Sequence, residues 1–208
     1  MATVSDHPLF QRISHWINLI CFIVFIPTGF IIHSPFQGAD MALVRGLHFF
    51  FMYVFLANGI VRVYYAVFGK HKDYKDILLN KQDLKTFIPQ LKYYLFISKK
   101  HPKTGKYNPL QKCAYLALPV LGVLQAITGF ILYLPMKFAG AAMLLGGMGA
   151  VRGIHYIITW LFILIIIAHL YLVFTEAAEQ FMVMFFGKTS KKSKQHPAAE
   201  AEQSSANS

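Results

Sequence analysis

Three features of the sequence predict an all-α integral membrane protein: a bundle of four transmembrane helices, with an amphipathic cytoplasmic surface segment between the second and third. The 208 residues are 56% hydrophobic and only 14% charged, against roughly 25% charged in ordinary soluble domains. Four apolar runs are each long enough to cross a hydrocarbon core of about 30 Å at about 1.5 Å per helical residue. The lysines lie almost wholly outside those runs, as they do in cytoplasmic membrane loops. A chain of this length is normally one domain, so the apolar excess points to lipid as solvent. The 19 Phe and 11 Tyr suit lipid-facing surfaces and interfacial belts.

The runs cover about 13–33, 47–68, 113–134 and 154–175. Unsatisfied backbone groups cost several kcal/mol each in hydrocarbon, so all four must be helical. Pro27, Pro119 and the internal glycines are tolerable because neighbouring helices re-satisfy freed backbone groups. The N-terminus has no basic leader or small-residue cleavage site, and the first run exceeds a signal peptide's apolar region, so it is expected to persist as a helix. Residues 1–187 are read as the transmembrane domain and 188–208, rich in Lys, Ala, Glu, Ser and Gln, as a disordered tail.

Between the second and third runs, residues 69–112 carry eleven lysines against Asp73, Asp76 and Asp83. Ile77, Leu84, Ile88, Leu91 and Leu95 recur there at helical spacing, the pattern of a basic amphipathic helix lying on a membrane surface. This segment and the tail are lysine-rich, whereas the other two loops carry chiefly Asp40, Arg45, Lys137 and Arg152. The positive-inside rule then places both termini in the cytoplasm, for a multi-pass protein of the bacterial inner membrane. The same distribution accounts for the net charge of +11 and argues against nucleic-acid binding.

The chain repeats itself weakly. Arg45-Gly46-Leu47-His48 recurs as Arg152-Gly153-Ile154-His155, and Thr28-Gly29-Phe30 as Thr128-Gly129-Phe130. Two related helix pairs of parallel orientation follow. The repeat breaks at Arg62, which stands where the second half has His169.

Ionisable residues within a membrane are expensive and default to functional roles. Here they are His15, His33, His48, Arg62, His155 and His169, with no carboxylate deep in any span, which counts against a transport chain of Asp and Glu. His155 and His169 are 14 residues apart, so they share one helix face within about 40° and sit about 21 Å apart along the axis. By depth, His48 is level with His155 on the periplasmic side and His15 with His169 on the cytoplasmic side. Two imidazoles on different helices at each level form the arrangement for bis-histidine ligation of haem, giving a di-haem bundle. The third span has no histidine and is expected to be a packing wall. His33 near the periplasmic surface either competes with His48 or makes interfacial hydrogen bonds, the second being preferred. Arg12, Arg45 and Arg152 flank the proposed haems, as partners for haem propionates or as topological flanking charge. Cys21 and Cys113 stand without any Cys-x-x-Cys-His, which excludes covalent c-type attachment, and they are too few to ligate an iron–sulfur cluster within this chain.

Gln11-Arg12-Ile13-Ser14-His15-Trp16, Arg45-Gly46-Leu47-His48, Gly105-Lys106-Tyr107-Asn108-Pro109-Leu110-Gln111-Lys112, and His155 with His169-Leu170-Tyr171 resemble the cytochrome b subunit of respiratory formate dehydrogenases and nickel–iron hydrogenases. The Lys-Tyr-Asn motif points more to the formate dehydrogenase branch. The resemblance implies two haem b groups, with His48 and His155 on the periplasmic one and His15 and His169 on the cytoplasmic one. It implies menaquinone reduction beside the latter, with Asn108 and His169 nearest and Gln111 and Lys112 as weaker candidates. Leu110 replaces a glycine frequent in that family, and an N-cap role for Asn108 stands beside the quinone one. The partners implied are an iron–sulfur electron-transfer subunit and a catalytic dehydrogenase or hydrogenase subunit, and a higher oligomer of the complex stays open. Electrons would enter at the periplasmic haem, cross to the cytoplasmic haem and reduce quinone there. The rival readings are a stand-alone di-haem cytochrome b exchanging electrons between quinone and a small oxidant such as superoxide, a quinol-oxidising subunit running in reverse, and a haem-free transporter or anchor.

Overall fold

Seven α-helices and no strand make up the described residues of the computed structural model, which are 9–69, 78, 80–94, 97–98, 109–175 and 178–187. They are α1 (Leu9–His33), α2 (Met41–Phe68), α3 (Lys81–Tyr94), α4 (Pro109–Tyr133), α5 (Ala139–Leu144), α6 (Met148–Thr175) and α7 (Ala178–Phe186). Helices α1, α2, α4 and α6 are long and apolar enough to cross a membrane.

Each spanning helix closes within a residue of its apolar run but opens four to six residues earlier, at Leu9, Met41, Pro109 and Met148. Each added turn contains a cation, Arg12, Arg45, Lys112 or Arg152, which interrupts the apolar run. Local chemistry sets two of these starts. Asp40 Oδ1 accepts the backbone N–H groups of Ala42 and Leu43 at 3.0 and 3.1 Å, an N-cap worth about 1 kcal/mol. Pro109 takes the first position of α4, where its missing N–H costs nothing. Gly146 and Gly147, at φ 93° and 90°, turn the chain from α5 into α6 through a region that side chains disfavour.

The interior is thin. Cys21, Met52, Ile131, Val151, Ile158 and Phe162 are buried, while Ile20, Ile60 and Leu164 are more than half exposed. That is the pattern of helices whose outer faces meet lipid, where packing and polar contacts rather than hydrophobic exclusion hold neighbours together.

Asn18–Ile166 form one compact unit, and the stretches up to Ile17 and from Ile167 onward form a second. In the larger unit Phe22 meets Phe55 and Phe162 at 5.7 and 5.3 Å between ring centres, tying α1 to α2 and α6. The Asn58 amide donates to Asn18 Oδ1 at 2.7 Å. In the smaller unit Arg12 Nε donates to the Met184 carbonyl at 2.9 Å, Arg12 Nη2 to that of Phe185, and Trp16 Nε1 to Met184 at 3.2 Å. Trp16 also packs on Phe185. A cation and an indole donor therefore hold the C-terminal carbonyls of α7, where both orphan acceptors and the helix dipole favour them.

Helix α3 falls within the lysine-rich segment. Its apolar Leu84, Ile88 and Leu91 are exposed, and the buried side chains are Asp83 and Gln90; Ile77 and Leu95 of the expected stripe lie outside the described residues. Polar groups thus face the protein and apolar ones face outward, as suits a helix bedded in a membrane interface. Asn80 and Asp83 cap its start reciprocally, each backbone N–H donating to the other's side chain at 2.8 Å. Lys112 on α4 donates to Asp83 Oδ2 at 2.8 Å, with both side chains 11% exposed. That hydrogen bond is the main cause holding the Asp83 carboxyl below its ordinary pKa.

Candidate cofactor-binding site

The repeated motifs meet in space. Thr28 on α1 and His48 on α2 lie 2.8 Å apart, Oγ1 to Nδ1, and Thr128 on α4 and His155 on α6 lie 2.9 Å apart in the same way. Each bond falls within one helix pair, so each half of the repeat builds one imidazole with its own anchor. The next residue of each motif lies beside the ring: a Cβ on Gly29 would be in ordinary contact 3.6 Å from His48 Cε1, and one on Gly129 would stand 3.4 Å from His155 Cε1. His48 and His155 are both half-buried.

The proton arrangement can be counted. Thr28 Oγ1 donates to the Val24 carbonyl at 2.6 Å and Thr128 Oγ1 to that of Leu124 at 2.8 Å. A hydroxyl has one proton, so each Oγ1 must accept from its histidine's Nδ1–H. Both rings are thereby held as the tautomer with the lone pair on Nε2. Around His155 the Gln125 side chain also takes part, its own Oε1 buried without a hydrogen-bond partner. The Gln125 amide donates to His155 Nε2 at 3.1 Å and to Thr159 Oγ1 at 3.0 Å, while Thr159 donates to the His155 carbonyl. An N–H from Gln125 requires an unprotonated Nε2. A metal-bound His155 needs that same nitrogen, so the Gln125 amide has to yield it. The third span, expected to be a packing wall, supplies two of these polar partners.

In the smaller unit the rings of His15 and His169 stand 6.1 Å apart, centre to centre, inclined by 58°. Two metal–imidazole bonds of about 2.0–2.1 Å, plus about 1 Å from each nitrogen to its ring centre, require a separation near 6 Å. The pair therefore fits a shared axial metal. Among the described residues no three His, Cys, Asp or Glu side chains gather as a bare ion would require. What the described residues do bring together is two imidazoles, His15 and His169, a donor set that would suit a haem held from both faces.

The other expected site residues are placed as follows. The Arg12 guanidinium engages the carbonyls at the end of α7, using two of its five donors. Arg45 and Arg152 are exposed near the starts of α2 and α6, Gln111 is half-buried, and Lys112 is committed to Asp83. Asn108 lies outside the described residues. His33 stacks on Tyr156 with ring centres 4.3 Å apart and planes 10° from parallel. Sequence reasoning missed Thr28, Thr128 and Gln125 as histidine partners. The duplicated Thr-Gly-Phe was the available signal for the first two, and a single amide within an apolar span was the signal for the third.

Four long apolar helices, with the His15 and His169 rings side by side, define a class of protein: an integral membrane helix bundle. A family model described as prokaryotic cytochrome b561 matches residues 6–201, and the chain belongs to that family of membrane b-type cytochromes. It is 26% identical to a probable Ni/Fe-hydrogenase B-type cytochrome subunit of Cupriavidus necator, over 79% of this chain and 76% of that one. A protein of the same description from Azotobacter vinelandii is 28% identical over 83% and 80% of the two chains. A putative protein-methionine-sulfoxide reductase subunit, YedZ1 of Azospira oryzae, is 25% identical over 73% and 81%.

Proposed function

We propose that this chain is the di-haem cytochrome b subunit of a respiratory membrane complex and carries electrons across the bilayer to menaquinone. The observation that carries the reading is the His15–His169 spacing of 6.1 Å, with His48 and His155 as the second pair, each offering an unprotonated Nε2. Haem b supplies one-electron chemistry when bound. The protein's part is to hold each macrocycle by two imidazoles, fix the ring tautomers and keep the surroundings apolar. The iron–sulfur and catalytic partners, hydrogenase by the named relatives or formate dehydrogenase by the Lys-Tyr-Asn motif, would deliver electrons on the periplasmic face. Quinone would be reduced by way of His169 and Asn108, with Gln111 and Lys112 as weaker candidates, taking its protons from the cytoplasm. The lysine asymmetry supports this orientation, with both termini cytoplasmic. Moving each electron inward against the membrane potential stores about 2.3 kcal/mol per 100 mV.

The methionine-sulfoxide reductase relative favours a second reading, in which the same groups oxidise quinol and send electrons outward to a periplasmic reductase. Purification of the chain with its native partners tests both readings. Two b-type haems by pyridine haemochrome, reduced by hydrogen or formate and reoxidised by a menaquinone analogue, support the first. Reduction by quinol alone, with reoxidation by the partner, supports the second. Folded protein lacking haem overturns both.

A further inference from the structure

We infer that Thr28 and Thr128 are positioning residues of the His48–His155 haem site: they lock each ligand's tautomer and, through it, lower the reduction potential of that haem. The inference rests on the proposed ligation by His48 and His155.

Three observations converge. Each threonine spends its only hydroxyl proton on the carbonyl four residues earlier, Val24 or Leu124. Its oxygen is therefore a fixed acceptor, 2.8 or 2.9 Å from Nδ1, and the imidazole proton is confined to that side. On His155 the amide of Gln125 approaches the opposite nitrogen as a donor, so Nε2 is lone-pair-bearing by a second, separate count. The arrangement also occurs twice, once in each repeat, with a glycine next to the threonine lying beside Cε1 of the same ring.

A ligand histidine that donates its distal N–H becomes a stronger electron donor at the metal-bound nitrogen. Stronger donation favours the oxidised, more positive iron and so lowers the potential. His48 and His155 would hold one haem and each carries such an acceptor, so the two effects would act on the same centre. Threonine's back-bond is what gives the hydroxyl a fixed role. A water or a freely rotating hydroxyl in its place would accept or donate with equal ease.

The test is a redox titration of the purified complex carrying T28V, T128V, T28S or T128S, with haem counted in each. Valine keeps the shape and removes the oxygen. Serine keeps the oxygen and its back-bond. The expected result is that each valine variant moves one of the two titrating components to higher potential, the double variant moves it further, the other component stays put, and serine restores the wild-type value. If valine instead empties the site, restoration of haem by serine still supports the hydroxyl's role. Valine variants with both components at wild-type potential, or serine variants as defective as valine, overturn the inference. Loss of one haem in H48A and H155A alongside silent valine variants would sink this inference alone. Unchanged haem content in H48A and H155A would sink the ligation it rests on.

Discussion

The two histidine pairs are built differently. His48 and His155 occupy equivalent positions of a duplicated helix pair, each anchored by the threonine of its own half. His15 and His169 have no such equivalence. The counterpart of His169 in the first half is Arg62, and the two rings come from the first and last spanning helices. One pair is thus a product of the repeat, and the other is a departure from it. A pseudo-symmetric helix bundle can therefore keep one site symmetric while the second specialises.

The sharpest way to break this comparison is to remove one ring from each pair. His155→Ala is expected to leave one haem per chain with the His15–His169 spectrum intact. His169→Ala is expected to leave the other haem and reduce quinone reduction to background. Loss of both haems from either single variant would mean that the pairs are not independent sites. Next in size, Gly129→Val should deplete haem at the repeat-built site alone, since even a Cβ there would stand 3.4 Å from His155 Cε1. Gly59→Val is the control, because nothing lies within 4 Å of a Cβ at that position. Equal haem content in the two variants would remove the glycine's role.

A smaller effect is expected away from both pairs. Asp83→Asn should weaken the hold of α3 on α4 by about 1.5–3 kcal/mol, the range for hydrogen bonds to charged groups, and should be read as faster tryptic cleavage at Lys85 and Lys92. The pKa of Asp83 lies below its ordinary value of 3.8, chiefly through the Lys112 hydrogen bond. Its contribution is therefore complete above about pH 4 and lost as pH falls through the lowered pKa. Cleavage that quickens between pH 8 and 6 would contradict this. The smallest effect is expected from Arg12→Ala, which costs α7 about 0.3–1 kcal/mol of helix-end interaction. Hydrogen exchange confined to residues 181–187 would report it, whereas a shifted haem potential would instead tie Arg12 to a propionate.

Much of this architecture was legible in the sequence, because lipid imposes simple rules. Backbone satisfaction and hydropathy locate the four spans, and depth matching puts His15 beside His169, whose rings stand 6.1 Å apart. What escaped was polar. Helix α7 is nine residues long and apolar, and it is stabilised by donors from Arg12 and Trp16 more than 160 positions away, which no window of sequence contains. Arg12 read as a propionate partner or as topological flanking charge, because a charge at a helix end looks the same in the sequence whether it meets a cofactor or a helix end. The threonines were visible as a repeat, but their role needs the back-bond to Val24 and Leu124, which fixes the hydroxyl proton. Gln125 drew no attention because an amide carries no charge in an apolar span.

The origin of each pair also sets an order of assembly. A ribosome that has released the first helix pair has already made His48 together with its anchor, and His155 becomes complete with the second pair. The His15–His169 couple joins the opening helix to the closing one and needs nearly every residue between them. Filling it would require a chain made and inserted through His169, fourteen residues beyond the last residue that the His48–His155 pair needs.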